Sequence, residues 1–125
     1  MPKKALDGKV CLGYTKEEII EFTRIGNFDF CLDFTHAIKS AISQNKDYKT
    51  IIKDFASLKP KLFHLCDGTL KTEIDEHLNL GEGEFDLKFI KNIIQESKCK
   101  KVTFEVPKLN KLDNDIKNIN YFRKI

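Results

Sequence analysis

Three short apolar runs separated by stretches of helical periodicity constrain this chain more than any other feature. Residues 28–34, 61–66 and 101–106 are rich in aromatic and aliphatic side chains. The first follows Gly26-Asn27, the second is entered through Pro60 and the third is stopped by Pro107, so each reads as a short buried strand. Between them Ile51, Ile52, Phe55 and Leu58 recur at helical spacing after Asp47, and Phe85, Phe89, Ile90, Ile93 and Ile94 do so after Gly83. Upstream, Thr15 with Glu18 three positions on, ahead of Ile19, Ile20 and Phe22, fits a capping box. Residues 112–122 read as a closing helix with Ile116 and Ile119 turned inward. Strands that alternate with helices pair in parallel, because a parallel neighbour cannot be reached by a tight turn. The predicted class is α/β with a parallel sheet.

Each run carries a ligand-type residue at or near its carboxyl end: Asp33, His64 and Glu105. The two-residue period of a strand puts Cys31 on the face of Asp33, Leu62 on that of His64 and Thr103 on that of Glu105. Phe30, Leu32, Phe63, Leu65 and Phe104 then form the opposite, bulky apolar face, suited to packing under helices. Parallel sheets and barrels build their sites at the carboxyl ends of strands. The chain has three histidines, and all fall near this rim: His36 three residues past Asp33, His64 itself, and His77 in the following loop beside Asp75. Imidazole and carboxylate together suit a first-row divalent metal such as zinc or manganese.

Taken singly, each residue has an ordinary alternative. Asp33 reads equally as the N-cap of the helix carrying His36, His64 as a satisfied core histidine, Glu105 as a partner of a lysine, and Asp75 and His77 as solvated loop residues. Gathered on one rim they point to a metal site. Gly81-Glu82-Gly83-Glu84 lacks the spacing of a phosphate loop and reads as a tight turn that launches a helix over 85–97 and aims Asp75 and His77 back over the sheet.

Charge excludes little: 22 Lys and Arg against 19 Asp and Glu leave +3, too small a surplus to argue for nucleic acid. No run is apolar enough for a membrane span and no signal peptide is evident, so a cytoplasmic setting is the default. The four cysteines, Cys11, Cys31, Cys66 and Cys99, form no metal or redox motif and read as reduced, mostly buried thiols.

Cys31-Leu32-Asp33-Phe34-Thr35-His36-Ala37, Phe63-His64-Leu65-Cys66-Asp67, Asp75-Glu76-His77-Leu78-Asn79-Leu80-Gly81-Glu82-Gly83-Glu84 and Thr103-Phe104-Glu105-Val106-Pro107 follow one another in an order that resembles the xylose isomerase-like TIM barrels. That superfamily includes sugar and sugar-phosphate isomerases and epimerases and also endonuclease IV, the apurinic-site nuclease. The resemblance implies a partial (β/α)8 barrel, about the last three βα units, with residues 1–125 as its carboxyl-terminal portion. It also implies that Asp33, His64 and Glu105 hold the central divalent metal, Mn or Zn. His36, Asp75 and His77 match a further metal set in the nuclease, and His36 matches a substrate contact in isomerases. Glu105 matches a catalytic acid/base that moves a proton next to a metal-polarised carbonyl.

Departures from the pattern shape the functional expectation. Nothing ahead of Asp33 matches the metal-bridging glutamate of the fifth strand, since Glu17, Glu18 and Glu21 lie on a helix. Counted back from Asp33, that glutamate falls before residue 1, and Met1-Pro2-Lys3 resembles the segment after it, which makes Met1 read as an internal methionine of a longer gene. A closed barrel needs about 250 residues, twice the 125 present. The expectation is a fragment of an isomerase or epimerase acting on a sugar or sugar phosphate, inactive alone and completed by an upstream barrel half or by self-association. The alternative is a fragment of an abasic-site nuclease, with DNA as partner. Against it, Glu76 stands where the nuclease pattern has an arginine, and Lys98, Lys100 and Lys101 lead into the third strand, away from the rim; only Lys71, Lys108 and Lys111 are placed on the site face.

Overall fold

A computed structural model describes residues 12–109 and 112–125. The order is α1 (Lys16–Gly26), β1 (Cys31–Asp33), α2 (Phe34–Ser43), α3 (Tyr48–Ala56), β2 (Leu62–Leu65), α4 (Leu87–Glu96), β3 (Val102–Phe104) and α5 (Asp113–Lys124). The three strands form one open parallel sheet in the order β1-β2-β3. This is the α/β arrangement of a partial (β/α)8 barrel.

Register decides what meets at the rim. Asp33 pairs with His64 across β1 and β2, and His64 with Thr103 across β2 and β3. Glu105, two residues beyond Thr103, therefore returns to the same face, where its backbone N–H donates to the Leu65 carbonyl at 3.0 Å. The opposite face builds the core: Leu32, Phe63 and Leu65 are buried with Phe34, Ile38, Ile52, Phe55, Ile90 and Ile94 from the helices. The Phe34 and Phe63 rings stack at 5.3 Å. Burying such side chains contributes roughly 1.5–3 kcal/mol each.

The strands are shorter than the apolar runs suggested. Residues 28–30 and Phe34 lie outside β1, because the Asp33 side chain caps α2 by accepting the His36 N–H and so starts the helix at Phe34. Lys61 and Cys66 fall outside β2, and Lys101, Glu105 and Val106 outside β3. Leu58 follows the end of α3, and Phe85 precedes α4, which starts at Leu87 under an Asp86 cap. The capping box at Thr15 forms as read, with the Glu18 carboxylate also receiving the Gly13 and Tyr14 N–H groups.

Two expectations about burial are corrected. Ile116 and Ile119 of α5 face solvent, at 54% and 38% exposure, while Asn118 is fully buried. The helix is turned by polar bonds: Asn118 Oδ1 accepts the Leu80 N–H at 2.6 Å, and its amide donates to Asn79 Oδ1 and the Asn114 carbonyl. Among the described cysteines only Cys66 is buried; Cys31 is exposed because it lies on the uncovered rim face, and Cys99 is intermediate. Cys11 and Lys111 lie outside the described residues. No helix among those described is long and apolar enough to cross a membrane.

Candidate metal centre

The six rim residues meet in a closed circuit of contacts. Glu105 Oε1 lies 2.8 Å from His64 Nδ1, which lies 3.8 Å from Asp33 Oδ2. Asp33 Oδ2 is 3.4 Å from His36 Nδ1, and His36 Nε2 is 2.9 Å from Asp75 Oδ2. Asp75 Oδ2 also stands 3.0 Å from His77 Nε2, and His77 Nδ1 returns to the backbone carbonyl of Glu105 at 2.7 Å. Both readings of Asp33 hold at once, one for each oxygen: Oδ1 caps α2 at 2.9 Å, while Oδ2 faces the histidines.

The loop after β2 is brought back over the sheet by a short antiparallel bridge between Asp67 and Leu78, with N–H to carbonyl distances of 2.9 and 3.0 Å. This bridge, rather than the 81–84 turn alone, aims Asp75 and His77. Asp67 is 1% exposed and its carboxylate accepts three backbone N–H groups, from Gly68, Gly81 and Phe85, at 2.9, 2.9 and 3.2 Å. The turn thus braces the bridge through Asp67. Asp67 stands inside a site motif, but its bracing role is not visible in the sequence because its partners lie up to 18 positions away. His77 itself sits in the left-handed region at φ 50°, a conformation that costs a non-glycine residue about 1 kcal/mol or more.

Donor geometry fits a divalent cation. The Asp33, His64 and Glu105 ligand atoms all lie within 4.8 Å of one another. Four ligands at metal bonds of about 2.1 Å would be spaced by about 3.4 Å, a value bracketed by the 2.8 and 3.8 Å contacts found here. The His77 ring gives a second argument. A carbonyl only accepts, so Nδ1–H donates to Glu105, which leaves Nε2 as the ring atom that meets the Asp75 carboxylate. A proton on Nε2 or a cation between the two atoms satisfies that 3.0 Å contact. A ring N–H fixed by a backbone carbonyl is also the usual outer support of a metal-bound histidine.

Electrostatics follow from the same geometry. Burial raises the Asp33 carboxyl pKa, with the nearby Glu105 and Asp75 charges adding to the effect, and His36 only partly offsets it. Burial also acts to raise Asp75, but its bond to His36 and the neighbouring His77 outweigh this and hold it below the usual range. That bond in turn raises the His36 pKa against the opposing effect of burial. Cys66 lies close by, with Sγ 3.9 Å from Asp75 Oδ1. Burial pushes its thiol up to about 12, despite the Thr35 hydroxyl; the Cys66, Asp75 and His77 ligand atoms nevertheless lie within 4.8 Å of one another, and a bound cation would deprotonate the thiol.

Among the described residues, the two lysines expected on the site face are paired. Lys71 reaches Glu84 at 3.3 Å and Lys108 contacts Asp115. Glu76 does not face the opening: its carboxylate takes the Thr69 N–H at 2.7 Å and the Lys39 ammonium at 3.3 Å, contacts that lower its pKa from the ordinary glutamate value. Lys98, Lys100 and Lys101 lie at the other end of the sheet, and Lys100 donates to the Ile94 and Ser97 carbonyls at the end of α4.

Comparison with known proteins places this geometry in context. The probable endonuclease 4 of Halothermothrix orenii is 31% identical over 117 residues, which cover 86% of this chain and 41% of that protein. The chain therefore spans less than half the length of that relative. No solved structure matches. The family model of the xylose isomerase-like TIM barrel matches residues 5–125. That match takes in all three strands and every rim residue, so the chain belongs to the xylose isomerase-like TIM barrel family.

Proposed function

We propose that this chain carries the carboxyl-terminal metal-binding face of a divalent-metal-dependent isomerase or epimerase acting on a sugar or sugar phosphate. The carrying observation is the closed circuit of Asp33, His36, His64, Asp75, His77 and Glu105, with Asp33, His64 and Glu105 converging within 4.8 Å. Those three residues would hold zinc or manganese, which when bound polarises a substrate carbonyl. Glu105, about one-third exposed, offers a carboxylate to accept the proton beside that carbonyl. His36, also partly exposed on the same rim, would hydrogen-bond a substrate hydroxyl in exchange for its contact with Asp75.

The described residues supply Glu105 as an acid/base group and three of the eight strands of a closed barrel. In this reading the site is completed by an amino-terminal barrel portion or by a second copy. A cytoplasmic setting belongs to the same reading and agrees with three free thiols among the described residues.

A nuclease acting at abasic sites in DNA is the second reading. It is favoured by the His36, Asp75 and His77 set and by the relative called probable endonuclease 4. Glu76 does not weigh against it, because Lys39 neutralises that carboxylate. The paired state of Lys71 and Lys108 does, since a DNA backbone needs cations free to meet its phosphates.

The deciding experiment combines the chain with the first five βα units of a family relative, loads the mixture with manganese or zinc, and assays ketose–aldose interconversion and cleavage of an abasic duplex in parallel. The isomerase reading expects interconversion, reduced about 10²- to 10⁴-fold by Glu105→Gln, and no cleavage. Cleavage without interconversion overturns it in favour of the nuclease.

A further inference from the structure

Lys39 is fully buried, and its ammonium spends its donors on the Thr69 carbonyl at 2.7 Å, the Thr72 carbonyl at 3.0 Å and Glu76 Oε2 at 3.3 Å. Burying an ammonium costs several kcal/mol before its partners repay it, and a well-packed apolar side chain commonly serves stability as well or better. The location of the pair suggests what it does. Lys39 follows His36 by three residues on α2, so the two side chains leave the same side of the helix. They grip consecutive residues of the loop: His36 holds Asp75 at 2.9 Å and Lys39 holds Glu76. Glu76 also closes the loop on itself through the Thr69 N–H and hydroxyl.

We propose that Lys39 and Glu76 are positioning residues that fix the 69–76 loop, so that Asp75 and His77, whose ligand atoms lie with Cys66 Sγ within 4.8 Å of one another, take a divalent cation beside the one held by Asp33, His64 and Glu105. The inference rests on the metal reading of the rim. Once Lys39 lets go, Asp75 is tied to α2 only through His36.

The test titrates the whole chain with Co(II), following visible absorption and heat. The parent is expected to take up two ions. Glu76→Gln keeps size and removes the charge, and Lys39→Met removes the ammonium; each should weaken one uptake step about 10- to 100-fold and leave the other unchanged. His64→Ala should remove the step that these variants spare. A purely structural role would lower the melting temperature of the metal-free variants while leaving both uptake steps intact, and that result overturns the inference. Should Lys39→Met fail to fold, Glu76→Gln decides alone. A parent chain that binds no Co(II) overturns the metal reading and this inference together, whereas two unchanged steps in the variants overturn this inference only.

Discussion

The Asp67 carboxylate occupies the space that a side chain at Gly83 would need: a Cβ there would stand 2.3 Å from Asp67 Oδ1 and 2.5 Å from the backbone of Gly68. Glycine at 83 is thus set by close approach. Gly83→Ala must displace either a buried carboxylate or main chain, and should destabilise the fold by about 2 kcal/mol, read as a shift in the urea midpoint.

Asp67→Ala should cost more, about 3 kcal/mol or above, because three backbone N–H groups lose their acceptor in a buried loop. Asp67→Asn should fall between, as an amide keeps one accepting oxygen. Equilibrium denaturation of the three proteins ranks them.

On α5 Asn118 and Phe122, whose ring packs edge-on against Phe104 at 5.6 Å, anchor the helix in place of the isoleucines. Asn118→Ala should cost about 2 kcal/mol by orphaning the Leu80 N–H and the Asn79 Oδ1 acceptor. Ile116→Ser, at a position 54% exposed, should change stability by less than about 0.5 kcal/mol. Reversed magnitudes would show that the isoleucine face is the packed one.

Lys49 and Asp86 meet at 2.5 Å in front of α4. That bond holds the Asp86 carboxyl below its ordinary value and the Lys49 ammonium above its own. A depressed carboxyl stabilises above its unfolded pKa of 3.8 and loses that contribution as the pH falls through the folded value. A raised ammonium stabilises below 10.5 and loses its contribution as the pH rises through the folded value. The melting temperature of Asp86→Asn should thus differ from the parent at neutral pH and converge with it at both extremes.

Much of this architecture was legible in the chain. Residues two apart on a strand share a face whatever surrounds them, so the alignment of Asp33, His64 and Glu105 follows from local spacing and parallel pairing. Strand ends were less legible because Phe34 is apolar in either setting; the Asp33 cap, a hydrogen bond, decided that it begins α2. Asp67, Lys39 and Asn118 escaped notice for a shared reason. Each satisfies backbone groups or charges 14 to 39 residues away, and no periodicity encodes such a partner. The same holds for α5, whose apolar spacing suggested an inward face that the Asn118 bonds turn outward.

The central claim is that the rim residues form a metal centre, and thermal melting of the whole chain with and without added zinc or manganese tests it most directly. Because a cation bound only by the folded state adds to its stability, a hundredfold excess over Kd should raise the melting temperature by on the order of 10 °C. His64→Ala, which removes the nitrogen between Asp33 and Glu105, should reduce that rise sharply. An unchanged melting temperature in the parent chain at millimolar metal would contradict the account.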